Sequence, residues 1–209
     1  LPKRSLVDLL DRLHRLMSKC CVIRTLRGHP YHGEAECLNI VESVYNRFPV
    51  EHLSINLSDI VNWDHVIDKI TSRFKPERLS LHIDGFKHPK DFLSKVAEVV
   101  DEMYIHNMDN NARYILNQSR DDWAETVLEI LSKRCSRIWI NHDTDMNEEH
   151  LDCLLEGLSN LNKKVHLRIR AGIWDCEYEK YDKLHIEIEG CFLIIRHEEV
   201  KDDTLFQYR

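Results

Sequence analysis

The chain has 209 residues, of which 43% are hydrophobic and 31% are charged, a balance that is typical of a folded globular protein and excludes an intrinsically disordered one. Lysine and arginine together number 29 against 36 aspartate and glutamate residues, which gives a net charge of -7. This charge argues against a protein that binds phosphate backbones regardless of sequence, because such proteins carry a basic surplus.

The seven cysteines are scattered, odd in number and without the paired spacing of a zinc site. We therefore expect reduced thiols in a protein of the cytoplasm or nucleus, where disulfides are rare. No apolar run is as long as a membrane span and the amino end lacks the pattern of a signal peptide, so no membrane partner is expected. Because the sequence begins at Leu1 and not at methionine, we expect it to be part of a longer chain.

The chain opens with leucines at helical spacing, and residues 1–20 are predicted to form an amphipathic helix that covers the first edge of the core. The apolar run over residues 21–26 predicts a first strand. Further amphipathic helices are predicted over residues 33–48, 63–74, 89–100, 121–131 and 147–161. Proline marks several boundaries, since Pro49 and Pro76 follow helices and Pro89 lies in a first turn.

Most helices are followed by a short segment in which polar and apolar residues alternate, the pattern of a strand with one buried face. These segments are 52–57, 78–83, 102–106, 137–141, 164–169 and 183–188. They recur at intervals of roughly 25 residues when aligned at equivalent apolar positions, which is the mark of a repeat protein. The aligned positions are Leu53, Leu79, Met103, Ile138, Val165 and Leu184.

A strand followed by a helix, repeated along the chain, predicts parallel strands joined by right-handed crossovers. We therefore predict an α/β solenoid in which the strands line one surface and the helices the other. Two apolar-alternating runs around Glu189-Gly190 predict a terminal β-hairpin. The whole chain, 1–209, is predicted to be one domain, with an N-terminal capping helix (1–20), strand–helix repeats (21–181) and a C-terminal hairpin cap (182–209).

The alternation also predicts which strand side chains point away from the helices. One predicted ladder holds Ser54, Ser80, Tyr104, Trp139, His166 and His185, and its neighbours are Asn56, His82, His106, Asn141, Arg168 and Glu187. Outward aromatic and arginine side chains are typical of protein interfaces. The residues predicted to bind a partner are Tyr104, Trp139, His82, His106, Asn141, His166, Arg168 and His185. The alternative is that cross-strand stacking of such residues only stabilises the sheet.

No catalytic motif is present in the sequence. The six glycines do not cluster into a phosphate-binding loop, and no nucleophile elbow or paired-carboxylate motif occurs. The thirteen histidines show no convincing ligand spacing, and pairing of His82 with His106 across a parallel ladder is the nearest approach to a metal site. We therefore expect a protein that is not an enzyme and has no cofactor, metal or small-molecule substrate.

The Leu-x-Leu and Ile-x-Ile strands after amphipathic helices, together with the segment Gly190-Cys191-Phe192-Leu193-Ile194-Ile195-Arg196-His197, resemble the F-box-associated domains of nematodes. The resemblance spans most of residues 20–209 and implies a leucine-rich-repeat-like fold. In that family an amino-terminal F-box binds the Skp1-type adaptor of a cullin-RING ubiquitin ligase, and the associated domain selects the substrate. The first residues of this chain contain no complete F-box, and its strands lack the Asn or Cys that closes the consensus leucine-rich repeat.

These observations predict a protein–protein interaction module that binds through its strand-lined face, as a substrate-recognition or regulatory antagonist domain. A Skp1-type adaptor or a degradation substrate is the partner that the resemblance implies. An alternative is recognition of RNA or single-stranded nucleic acid by the same face. In that case Tyr104 and Trp139 would stack on bases, and phosphates would contact basic residues, namely Arg137, Lys164, Arg168 and Arg170.

Overall fold

The computed structural model describes residues 8, 11–12, 23–28, 34–56, 63–82, 89–106, 120–144, 148–171 and 181–197. These residues form an α/β fold with one eight-stranded sheet and five α-helices. The strands are β1 (Ile23–Gly28), β2 (Val50–Asn56), β3 (Arg78–His82), β4 (Glu102–His106), β5 (Arg137–Thr144), β6 (His166–Ala171), β7 (Leu184–Glu189) and β8 (Phe192–His197). The helices are α1 (Glu34–Tyr45), α2 (Trp63–Asp68), α3 (Pro89–Val96), α4 (Arg120–Ser132) and α5 (Glu148–Ser159).

The sheet is open and mostly parallel. Its strand order is β1-β2-β3-β4-β5-β6-β8-β7, so the first six strands lie side by side in chain order. Strands β1 to β6 are parallel to their neighbours, whereas β8 is antiparallel to both β6 and β7. The prediction of parallel strands alternating with helices is therefore confirmed for this part of the chain.

One hydrophobic core joins the sheet to the helices. Leu79 and Leu81 of β3 are 1% and 0% exposed, and they belong to the same cluster as Phe92 of α3 and Leu155 of α5. All five helices contribute apolar side chains to this cluster, together with alternate residues of β2 to β6 and the partly buried Leu26 of β1. Burial of each such side chain stabilises the fold by about 1.5–3 kcal/mol, so this cluster fixes which face of every strand points inward.

The helices pack side by side against one face of the sheet. Neighbouring helices contact each other in chain order. The helical segment Lys69–Phe74, which follows α2, lies between α1 and α3 in this series. Gly157 of α5 permits a close approach to α4, because a Cβ at this position would lie 2.3 Å from Cδ1 of Leu128. The described residues thus form two layers, with the helices on one side.

The helix predicted over residues 63–74 widens halfway along its length. After α2, residues Lys69–Phe74 form a π-helical segment. It ends at Lys75, whose φ of 42° is left-handed and whose backbone N–H donates to the carbonyl of Ile70. Pro76 follows, and a proline there cannot continue the helix.

The register of β6 differs from the prediction. Leu167, and not Val165, pairs with Ile138, so Arg168 lies beside Trp139. His166, which we predicted to lie in the row of Trp139, pairs with Arg137 instead. Alternation identifies the face on which a residue lies but does not distinguish registers that differ by two residues, and Val165 is also buried.

The predicted hairpin is present, but it joins the sheet in reverse order. Gly190, with a φ of 62°, occupies the turn between β7 and β8, where a left-handed backbone favours glycine. β8 pairs with β6, and β7 forms the edge. His185, which we predicted to follow His166 in the same row, therefore pairs with Arg196 across the hairpin. The return strand of a hairpin can pair with either neighbour, and the alternation is the same in both cases.

Several sequence predictions lie partly or wholly outside the described residues. In the predicted opening helix, Asp8, Asp11 and Arg12 are helical, and Asp11 pairs with Arg47 at 2.6 Å. The predicted strand at 21–26 is observed as Ile23–Gly28. Segment 172–180 and residues 198–209 are not described. No helix in the described part of the chain is both long and apolar enough to cross a membrane.

The core assignment predicts a contrast between two apolar substitutions in strands. Leu81→Ala should lower the free energy of unfolding by about 2–5 kcal/mol, because Leu81 is fully buried and its truncation leaves a cavity. Ile188→Ala on the edge strand, where the side chain is 43% exposed, should change it by less than about 0.5 kcal/mol. Urea unfolding of both variants measures the difference, and equal effects would contradict the assignment.

Candidate functional site

The sheet has a second face, which points away from the helices. We call it the sheet face and divide it into rows of side chains that are neighbours across the strands. The basic row comprises Thr25, His52, Arg78, Glu102, Arg137, His166, Arg196 and His185. The aromatic row comprises Arg27, Ser54, Ser80, Tyr104, Trp139, Arg168, Ile194 and Glu187. The third row comprises Asn56, His82, His106 and Asn141, and beyond the irregularity in β5 it continues with Arg170, Phe192 and Glu189.

The charge of the sheet face is opposite to that of the whole chain. Its rows contain six arginines, which are Arg27, Arg78, Arg137, Arg168, Arg170 and Arg196, against three glutamates, which are Glu102, Glu187 and Glu189. The chain as a whole carries a net charge of -7. The rows of the sheet face therefore carry a positive surplus, which favours contact with anionic groups.

An aromatic and cationic stack crosses the centre of the sheet face. The Cζ atom of Arg168 lies 4.6 Å from the ring centroid of Trp139 and 4.5 Å from that of Phe192. The Trp139 ring meets Tyr104 and Phe192 edge to face, with centroids 5.0 and 6.1 Å apart. Glu189 pairs with the Arg168 guanidinium at 3.1 Å. Cation–π contacts of this kind contribute about 0.5–2 kcal/mol each, so the stack fixes the position of Arg168.

Tyr104 contacts the Trp139 ring of this stack and is itself buried, with 7% of its surface exposed. Its hydroxyl accepts a hydrogen bond from Nδ2 of Asn141 at 3.3 Å. The same amide group lies 3.0 Å from Nδ1 of His106, and the His106 ring meets His82 edge to face at 5.2 Å. His82 and His106, at the carboxyl ends of β3 and β4, thus form a polar cluster with Asn141 of β5.

His52 is buried at the amino-terminal side of the sheet face. Its Nε2 lies 2.7 Å from the hydroxyl of Ser80, and its Nδ1 lies 3.4 Å from that of Thr25. Burial lowers the pKa of His52 from 6.5 to about 4, and the positive charges of Arg78 and Arg27 act in the same direction. His52 is therefore neutral at physiological pH, and one of its ring nitrogens donates while the other accepts.

Ion pairs hold the arginines of the basic row in place. The carboxylate of Glu102 bridges Arg78 and Arg137, each at 3.2 Å. On the other side of the row, Arg196 approaches Glu187 at 3.5 Å. The side chains of Arg78 and Arg137 remain about one-third exposed, at 32% and 33%. Each guanidinium has five donors, so these arginines are oriented and retain capacity for a further acceptor.

The structure brings the sequence-predicted site residues onto one face. Trp139, Arg168, His82, His106, Asn141, His166 and His185 all lie on the sheet face, as does the buried Tyr104. They form three groups rather than one ladder. Trp139 and Arg168 belong to the stack, whereas His82, His106 and Asn141 form the polar cluster. His166 and His185 lie on either side of Arg196 in the basic row.

The contributors that the sequence predictions missed include Phe192, Glu102 and Arg196. Phe192 lies in a run of four apolar residues, 192–195, so alternation does not identify which of them point outward. Glu102 and Arg196 follow the alternation of their strands. Arg78, Glu102 and Arg137 occupy equivalent positions in the repeat alignment, and this could have predicted that they pair across the strands. Charged residues at equivalent repeat positions predict cross-strand pairs.

Two observations on the described residues concern metal binding and thiol chemistry. No group of three or more His, Cys, Asp or Glu among them is placed to hold a metal ion. Cys135 is buried, and burial raises the pKa of its thiol to about 12, so it remains protonated. What this face presents is oriented arginine, imidazole and aromatic groups, which suit recognition of anionic and apolar groups.

No protein-family model matches the chain, and no curated protein or solved structure matches it either.

The environment of His52 predicts a pH dependence of stability. Because its pKa is about 4 in the folded protein and 6.5 ordinarily, the unfolded chain takes up a proton between these values and the folded one does not. The free energy of unfolding should therefore fall as the pH drops through this window, and above the window the protonation of His52 should not change it. Between about pH 7 and about pH 4.5, the wild type should lose on the order of 2 kcal/mol more than His52→Gln. Urea unfolding at both pH values tests this, and parallel losses in the two proteins would contradict it.

Proposed function

We propose that this chain is a protein–protein interaction module that binds a specific partner through the sheet face, as a substrate-recognition or regulatory antagonist domain. The observation that carries the proposal is the stack of Trp139, Arg168 and Phe192, half-buried on a face against which none of the described helices packs. Tryptophan and arginine held rigidly in this way supply much of the binding energy of known interfaces. Because they are already ordered, binding loses little side-chain entropy.

The finer architecture belongs to the same proposal. We interpret the fold as a leucine-rich-repeat-like solenoid with an N-terminal helical cap and a C-terminal β-hairpin cap. Six parallel strands in chain order, each separated by a helical segment where the connection is described, support this interpretation. The β7–β8 hairpin at one end of the sheet supports the cap, because an atypical last unit is what closes a repeat array.

The resemblance to F-box-associated domains extends the proposal to a ubiquitin ligase. In this scheme the sheet face selects a degradation substrate, and a Skp1-type adaptor is bound elsewhere. The module acts in the cytoplasm or nucleus, without catalysis, cofactor or small-molecule substrate. Its support is the sequence resemblance together with the free thiols of Cys135, Cys153 and Cys191.

Recognition of RNA or single-stranded nucleic acid is the second candidate, and the six arginines of the sheet face favour it. Two observations favour the protein partner instead. Arg168 already covers one face of both Trp139 and Phe192, so a base could stack on those faces only by displacing it. The net charge of -7 also opposes binding to a polyanion over a long contact.

Removal of the central ring should weaken partner binding. We expect Trp139→Ala to reduce the affinity for the partner by about 1–3 kcal/mol, because it removes the ring on which Arg168 is held. The tagged domain would be used to purify bound proteins from its own cells, with identification by mass spectrometry. The affinity of the purified partner would then be measured by calorimetry for the wild type and the variant.

The matched controls are Arg73→Gln and Arg137→Gln. Arg73 is exposed on the helical side and should leave affinity unchanged, whereas Arg137 lies on the sheet face outside the stack and should lower it. Arg137→Gln also keeps the test decisive if Trp139→Ala does not fold. A partner that binds both sheet-face variants as tightly as the wild type would exclude the sheet face as the interface. Retention of RNA in place of protein would favour the second candidate.

A further inference from the structure

Strand β7 forms one edge of the sheet, and most of its side chains are exposed. Among the described strands, β8 alone pairs with it. Its exposed residues include the apolar Ile188, at 43%, as well as His185, Glu187 and Glu189. Edge strands are commonly protected from pairing by lysine, proline or a β-bulge, and β7 contains none of these. Its outer edge is therefore suited to pairing with another strand.

The hairpin geometry determines which backbone groups point to this outer edge. The paired residues Glu189 and Phe192 are separated by a turn of two residues, Gly190 and Cys191. The residues that flank such a turn exchange their backbone hydrogen bonds, and the pattern then alternates along the strand. The residues whose N–H and C=O groups point away from β8 are therefore Leu184, Ile186 and Ile188.

Two hydrogen bonds agree with this alternation. The N–H of Leu184 donates to the carbonyl of Tyr181 at 3.0 Å and not to β8. His197 lies opposite Leu184, and its N–H donates to the carbonyl of Val165 on the other side of β8 at 3.2 Å. The pair of Leu184 and His197 is thus one in which both residues direct their backbone groups away from each other.

β7 is complementary to a second copy of itself in the antiparallel direction. When Ile186 lies opposite Ile186 of the second copy, Leu184 lies opposite Ile188, and His185 lies opposite Glu187. The first two contacts are apolar, and the third sets an imidazole against a carboxylate. A register in which Glu187 lies opposite itself would instead set two carboxylates against each other.

The side chains of the polar pair are accessible to a second copy. His185 and Glu187 lie 3.6 Å apart within the chain, and their side chains are 49% and 48% exposed. Among the described residues, His185 and Arg196 both contact Oε2 of the Glu187 carboxylate, which can accept further hydrogen bonds.

We propose that two copies of this chain associate through their β7 strands, which pair antiparallel about Ile186 and extend the sheet across both copies. Ile186 of each copy exchanges both backbone hydrogen bonds with the other, and the N–H of Ile188 donates to the carbonyl of Leu184 of the second copy. Both copies use the same patch, so the contact closes as a dimer. The inference does not depend on the proposed function. The twofold axis is perpendicular to the sheet, so the sheet faces of both copies lie on the same side.

The test is analytical ultracentrifugation of the chain from about 1 µM to about 1 mM, a range that covers weak dimers. We expect the wild type to pass from monomer to dimer as the concentration rises. His185→Glu sets two carboxylates against each other in both symmetric contacts, so it should weaken the dimer about tenfold or more. His185→Glu/Glu187→Lys sets opposite charges against each other again and should restore the dimer.

Arg73→Gln is the matched control, because it changes the net charge by the same amount as His185→Glu at an exposed helical position, and it should dimerise as the wild type does. Urea unfolding at low concentration shows whether each variant is folded. Hydrogen exchange followed by mass spectrometry should show slower exchange in β7 as the dimer forms. A monomer at every concentration, growth beyond a dimer, a dimer that His185→Glu leaves unchanged, or failure of the double variant to restore association would overturn the inference.

Discussion

The packing of one side of each parallel strand against the helices is the constraint on which the rest of the structure depends. Leu81 and Ile169 are buried in the same core cluster as the helices, and the residues beside them in each strand must then face the other way. Because the strands pair in a constant register from β1 to the start of β5, these outward residues align into rows. The rows of the sheet face are thus a direct consequence of how the core is built.

The stack on the sheet face links neighbouring strands, and we propose that it also serves recognition. Trp139, Arg168 and Phe192 come from three adjacent strands, so their contacts tie the parallel part of the sheet to the hairpin. The same contacts orient the arginine before any partner arrives. Cross-strand stacking and partner binding, which the sequence left as alternatives, are therefore compatible for these side chains. Tyr104 differs, since its burial limits it to support from within the protein.

The faces of the strands could be predicted from the sequence, but their neighbours across the sheet could not. Alternation in segments such as Arg78–His82 identifies the residues that face the core, here Leu79 and Leu81, but it does not predict that Ser80 on the sheet face is also buried. It does not separate registers that differ by two residues, and for that reason His166 was assigned to the row that Arg168 occupies. The order of the hairpin strands depends on which of them meets β6, a tertiary contact with no local pattern. Phe192 was missed because its neighbours are apolar on both faces.

In the function that we propose, the two sides of the molecule have different roles, because the helices build the core and the sheet face binds the partner. Hydroxyl-radical footprinting by mass spectrometry, with the domain free and bound to its partner protein, tests this most directly. Oxidation of Trp139, Phe192 and His185 should be reduced in the complex, while that of Ile40 and Cys153, which lie on helices α1 and α5, should not change. Protection of the helical residues with unchanged oxidation of Trp139 and Phe192 would contradict the account.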